Sequence, residues 1–166
     1  EVPPLAALQR GIGMIGVYRR ANNPFVERLF QKARGWPADS LVPKSDQGAR
    51  KVFSAMRKGR HLVVMMDQKL NEGIPARFFG RPAMTSTMVA KYALHFRCPV
   101  RPVAVFRTGL CRYRIEVEDP LELPDTGDAD RDVALLTQAV TERIEAWVRR
   151  HPEQWLWLHN RWRETV

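Results

Sequence analysis

Histidines, carboxylates and arginines are the side chains here that can move protons or hold anions, and their spacing decides which can act together. His61 and Asp67 lie close in sequence. Along a strand, however, six residues span about 20 Å, so the two cannot form a dyad within that strand. His61 reads as a satisfied strand-end histidine. Near the end of the chain, His159-Asn160-Arg161-Trp162-Arg163-Glu164 spells His-x4-Glu. On a helix that step turns about 140°, which points the two side chains apart. The expectation is a structural or substrate-facing tail.

Gly11-Ile12-Gly13-Met14-Ile15-Gly16 spells GxGxxG. A dinucleotide site needs a strand before the glycines and a helix after them, and here the order is reversed. The glycines read as a helix-to-strand turn. Cys98 and Cys111, with His95 nearby, lack the spacing of a zinc site or a disulfide framework. They read as small core residues in a reducing compartment, and no metal or cofactor is implied.

More chemistry lies at strand ends. In open α/β sheets ligands sit outside the carboxyl ends of the strands. Arg19-Arg20, Asp67-Gln68-Lys69 and Arg107 fall at such places. Arginine forks match phosphate and carboxylate oxygens, so these residues suit an anion-handling cleft; a structural ion-pair network is the competing reading.

The elements that must position them alternate. Residues 3–10 read as a short helix closed by Gly11, and 13–19 as a strand ending in the basic pair. Asn23 caps a helix with Pro24 at its first position, whose apolar stripe is Phe25, Val26, Leu29, Phe30 and Ala33, ended by Gly35. Ser45 or Asp46 opens a helix with Ala49, Val52, Phe53 and Met56 inward. The run His61–Met66 reads as a central parallel strand covered on both faces. After a polar loop, Thr85 or Ser86 caps a helix to about Phe96. Strands near 99–106 and 112–118 turn at Thr108-Gly109. From Asp130 an amphipathic helix carries Val133, Leu136, Val140, Ile144 and Trp147 on one face to about Arg150. The expectation is one α/β domain, 1–166, with a mixed, largely parallel sheet flanked by helices.

Composition narrows the partner. The chain has 166 residues, 45% of them apolar, enough for one substantial core. Its net charge is +9 and its pI about 10.2, which favours nucleic acid, an acidic protein or phospholipid headgroups. No apolar run reaches the roughly eighteen residues of a membrane span. The opening Glu1-Val2-Pro3-Pro4 enters a helix at once, so the chain is read as a fragment lacking upstream sequence.

Several blocks carry a resemblance: Val17-Tyr18-Arg19-Arg20-Ala21-Asn22-Asn23-Pro24, Arg34-Gly35, Met66-Asp67-Gln68, Phe78-Phe79-Gly80-Arg81-Pro82-Ala83-Met84-Thr85, and Pro152-Glu153-Gln154-Trp155-Leu156-Trp157-Leu158-His159-Asn160-Arg161-Trp162. In order and spacing the set resembles the late acyltransferases of lipid A biosynthesis. The resemblance implies a glycerol-phosphate acyltransferase-like fold and a bacterial inner-membrane enzyme acting at the cytoplasmic face. It implies transfer of a fatty acyl group from acyl carrier protein to a hydroxyl of a phosphorylated lipid A precursor. The family's catalytic signature is His-x4-Asp/Glu. Its usual distance from the Tyr-Arg block, counted back from Arg19, lands on Glu1. Glu1 is therefore expected to be the acid, with the histidine and a membrane anchor upstream, so these residues alone are not expected to be active.

A lipid hydroxyl is a poor nucleophile at neutral pH, hence the need for a histidine base and a carboxylate that fixes its tautomer. Arg34 and Asp67 match charged positions that the family associates with activity. Arg19, Arg34, Asp67, Gln68 and Lys69 are the expected substrate-binding residues. Trp155, Trp157 and Trp162, interleaved with Arg161 and Arg163, suit either a membrane interface or a core. The close alternative is an acyltransferase of the same superfamily acting on another glycolipid or glycerophospholipid. The distant one is a basic nucleic-acid-binding domain, which should show a recognition helix, zinc finger or RNA-binding aromatic signature that this sequence lacks.

Overall fold

In the computed structural model, residues 6–7, 9–34 and 40–162 are described, Arg34 by its backbone only. They fall in two compact units, Glu1–Val64 and Met65–Val166.

The first unit is built on a parallel three-stranded sheet ordered β2-β1-β3, from β1 (Met14–Tyr18), β2 (Leu41–Pro43) and β3 (His61–Val63). Helix α1 (Pro24–Arg34) follows β1, and α2 (Asp46–Arg57) connects β2 to β3. Ser45 caps α2, its Oγ accepting from the Gly48 N–H at 3.0 Å. Gly48 has no substitute here, because a Cβ would stand 2.0 Å from the Pro43 carbonyl oxygen. That approach rotates the helix, so its buried residues are Gly48, Val52 and Ala55, while Ala49 and Phe53, expected inward, are exposed. Val52, Ile15 and Val42 form the apolar centre of this unit. As expected, the glycines at 11 and 13 precede a strand: Gly11 takes φ +73° in the turn before β1.

A further expectation fails in this unit. The run His61–Met66 is neither central nor continuous: β3 ends at Val63, at one edge of the three strands, after Gly16 pairs with Val63. The chain leaves the sheet there for the second unit, where Met66 packs in the core. In the apolar stripe of α1, Phe25 is 76% and Leu29 64% exposed.

The second unit pairs its strands antiparallel, which corrects the expected largely parallel sheet. Strands β4 (Ile74–Phe78) and β5 (Arg81–Thr85) form a hairpin where a loop was expected. Phe79 and Gly80 turn it with φ of 50° and 75°, the positive pair of a two-residue hairpin turn. Pro75 pairs with Met84 and Pro82 with Arg77. Counted from the closing Phe78–Arg81 pair, both prolines fall at positions that donate nothing across the ladder, so the hairpin tolerates them.

Helix α3 (Met88–Phe96) follows β5, with Thr87 at its N-cap, and the Ser86 Oγ accepts from the Met88 N–H at 3.3 Å. Strands β6 (Val103–Gly109) and β7 (Arg112–Val117) form a second hairpin. Its turn is Leu110-Cys111, not Thr108-Gly109, because a register shift between Arg107 and Gly109 carries the pairing on to Gly109–Arg112. Cys111 is thereby exposed, against expectation, while half-buried Cys98 packs beneath α3, where burial pushes its thiol up.

Helix α4 (Ala129–Arg150) starts just ahead of the expected Asp130. Asp128 caps it, its carboxylate accepting from the Asp130 and Arg131 N–H groups. Its inner face carries Leu136, Ile144 and Val148, with Val133, Val140 and Trp147 partly buried beside them. Phe78, Ala83, Ile144 and Val148 form the main core, joined by Phe79, Trp155 and Trp162. Phe79 holds its unusual backbone because its N–H donates to Glu145 at 2.6 Å and the Arg149 guanidinium lies 4.5 Å from its ring.

Candidate active site

The residues singled out from sequence fall in both units. Glu1 and the Arg34 side chain lie outside the described residues. Arg19 and Arg20 are exposed just beyond the carboxyl end of β1. What orders that end is Glu27, one turn into α1 and not singled out from sequence. Its carboxylate accepts from the Tyr18 hydroxyl at 2.8 Å, the Ala21 N–H at 2.9 Å and the Gln31 amide at 2.7 Å. Hydrogen bonds from Gln31, Ala21 and Tyr18 hold the Glu27 carboxyl at about 2, below its ordinary 4.5. Burial raises the Tyr18 hydroxyl, helped by Glu27. The end of β1 is thus a locked corner presenting two cations.

In the second unit Asp67, Gln68 and Lys69 form a bend leading toward β4. Gln68 is exposed, Asp67 and Lys69 are half-buried. The bend is held from two sides. On one, the Leu70 N–H donates to the Met84 carbonyl of β5 at 3.1 Å. Gly73 lies so close to β5 that a Cβ would come within 2.1 Å of the Thr85 carbonyl oxygen. On the other side is the closing segment: the Lys69 N–H donates to His159 Nε2 at 2.8 Å.

Arg161 joins these parts. It is 1% exposed, donates from Nη1 to the Met84 carbonyl and from Nη2 to the Thr85 hydroxyl, both at 2.7 Å, and lies 5.6 Å from the Phe78 ring centroid. Burial lowers the pKa of its guanidinium, and the charge of Asp67 opposes that shift. Within this unit a cationic neighbour of Asp67 is Arg161, which the sequence placed only among the interleaved tryptophans.

One oxygen of this cluster stands out chemically. Asp67 Oδ1 is buried and has no hydrogen-bond partner among the described residues. Leaving such an acceptor unmatched costs about 1–3 kcal/mol. A carboxylate in that state can take a hydrogen bond from a hydroxyl or an imidazolium.

The other candidates have structural work. Arg107 donates its N–H to Gln154 at 2.8 Å and its Nε to the Gly109 carbonyl at 3.1 Å, tying β6 to the segment after α4. His61 is exposed at the start of β3. Trp162 donates to the Phe78 carbonyl at 3.1 Å and stacks on its ring, and Trp155 lies edge-on to the same ring. Both are core tryptophans, whereas Trp157 is 54% exposed. Among the described residues there is no cluster of metal-ligating side chains, and no helix is long and apolar enough to cross a membrane.

The segment that closes on the Asp67 bend, and the bend itself, are blocks by which the sequence resembles an acyl-transferring enzyme. Comparison of the whole chain bears this out, for the chain is an acyltransferase. It belongs to the bacterial lipid A biosynthesis acyltransferase family, whose profile matches residues 4–164. A search of curated proteins found no match.

Proposed function

We propose that this acyltransferase moves a fatty acyl group from acyl carrier protein to a hydroxyl of a phosphorylated lipid A precursor, at the cytoplasmic face of the bacterial inner membrane. A histidine base takes the hydroxyl proton as the oxygen attacks the thioester carbonyl. The C–S bond then breaks, and the carrier thiol leaves with the proton. In this reading Glu1 is the acid that orients the histidine, as the spacing from the Tyr-Arg block suggests. Arg19, Arg34 and Lys69 are assigned to the charges of donor or acceptor, and Gln68 is assigned to neutral hydrogen bonding with substrate. The net charge of +9 suits an acidic carrier, a phosphorylated acceptor and an anionic membrane surface alike.

The observation that carries the reading is the buried Asp67 Oδ1, unmatched among the described residues, in a bend held by the family's closing block. Asp67→Asn in the intact enzyme keeps the shape and removes the charge. Transfer from acyl carrier protein to a lipid A precursor should fall at least about tenfold, roughly 1.4 kcal/mol in barrier, with the melting temperature little changed. Wild-type turnover by the folded variant would remove Asp67 from the site. Transfer only to a glycerophospholipid acceptor would move the enzyme to the neighbouring acyltransferase class.

A further inference from the structure

We infer that His159 and Arg161 are positioning residues, which set the orientation of the Asp67–Lys69 bend from the far end of the chain. The inference rests on the proposed role of Asp67 and names what holds that residue in place.

The bend has little regular structure of its own. Strand β3 ends before it, β4 begins only at Ile74, and Asp67 and Gln68 are in bends rather than in a helix or strand. Short segments of this kind keep one conformation only when their backbone groups find partners elsewhere. Two backbone bonds do this across long sequence separations: Leu70 N–H to the Met84 carbonyl, and Lys69 N–H to His159 Nε2, 90 residues away. The second bond fixes the imidazole as well, since Nε2 must carry a lone pair to accept.

Arg161 acts on the same bend through β5. The Met84 carbonyl accepts both from Leu70 N–H and from Arg161 Nη1, and the Thr85 hydroxyl that accepts from Nη2 donates in turn to the Ala83 carbonyl at 2.9 Å. Thr85 is fully buried. Both terminal nitrogens are engaged on β5, and no Asp67–Arg161 ion pair within 4.0 Å is formed among the described residues. The charge of Arg161 thus acts on Asp67 while the carboxylate oxygen Oδ1 keeps its acceptor capacity. A lysine, with one nitrogen, could not span both acceptors in this planar fashion.

The test uses the intact enzyme with His159→Leu, which deletes the acceptor, and His159→Gln, which keeps one. His159→Leu should lower kcat by about tenfold or more while KM for the acyl donor changes less than about twofold, and His159→Gln should recover most of the loss. Amide hydrogen exchange at Lys69 should quicken in His159→Leu alone. Added to Asp67→Asn, His159→Leu should cost less than about twofold more, as expected of residues acting through one another. Equal losses in the two His159 variants, or losses that multiply with Asp67→Asn, would overturn the inference. Should Asp67→Asn itself turn over normally, the role of Asp67 fails separately. The exchange rate at Lys69 then decides whether His159 holds the bend: quickening supports it, and an unchanged rate overturns it.

Discussion

The Arg161 guanidinium reaches 76 residues back along the chain to the hydroxyl of fully buried Thr85, at 2.7 Å. This contact and its neighbour to the Met84 carbonyl seat a cation beneath the hairpin β4–β5, in a unit whose other arginines are mainly at the surface.

Replacing Arg161 should therefore damage folding as well as activity. Arg161→Met leaves the Met84 carbonyl and the Thr85 hydroxyl without this charged donor, and losing such a hydrogen bond costs about 1.5–3 kcal/mol each. Arg161→Lys should recover the charge but not both hydrogen bonds, and so fall between. Denaturant unfolding of the two variants and the wild type measures this order. A stable Arg161→Met would mean that the stacked Phe78 and Trp162 hold the hairpin without help.

Glu27 supplies a prediction in pH. Its carboxyl sits at about 2 in the folded chain against an ordinary 4.5, so folding favours the ionised form. The stability it contributes is present above about 4.5 and is lost as pH falls from there toward 2. The difference in stability between wild type and Glu27→Gln should accordingly shrink across that window. In an NMR titration the carboxyl carbon of Glu27 should move with a midpoint near 2; a midpoint at 4.5 would show that the corner at the end of β1 is open in solution.

Two glycines should fail for different reasons. At Gly80 a Cβ meets nothing within 4 Å, yet φ is 75°, so Gly80→Ala should cost only the left-handed penalty of about 1–2 kcal/mol. At Gly73 the Cβ would stand 2.1 Å from the Thr85 carbonyl oxygen, which is backbone and cannot swing aside. Gly73→Ala must push the bend off β5, and transfer should fall by about tenfold or more as Asp67 moves with it. Melting curves with initial rates separate the cases: Gly80→Ala should lose stability and keep its rate when folded, and a Gly73→Ala enzyme with normal rate would mean that the bend does not position the chemistry.

Much of the first unit is legible in the sequence. The caps at Asn23 and Ser45 and the glycine turn before β1 are local signals, and a local signal depends only on neighbours in the chain. The same holds for the inner face of α4, whose apolar spacing repeats at helical period. The blocks that place the chain in its family are equally a property of order and spacing.

What the sequence could not decide is what each apolar or charged residue would face. The run Leu62–Met66 looks like a buried central strand, but its position at a sheet edge depends on how β1 and β2 pair. The β4–β5 hairpin was hidden because two prolines argue against strands, and only the pairing register shows both at positions that donate nothing. Phe25 and Leu29 have the spacing of a core face and are exposed, because amphipathic spacing says that a face exists and not what it meets. Arg161 is the sharpest case. Its neighbours in sequence are a histidine, an asparagine and a tryptophan, whereas its partners Met84, Thr85 and Asp67 come from β5 and from the bend after β3. Residue type and spacing determined the chemistry available to this chain. The long-range hydrogen bonds that bring the chain's end back to Lys69 and Met84 decided which side chains surround Asp67, because burial and charge act through space rather than along the sequence.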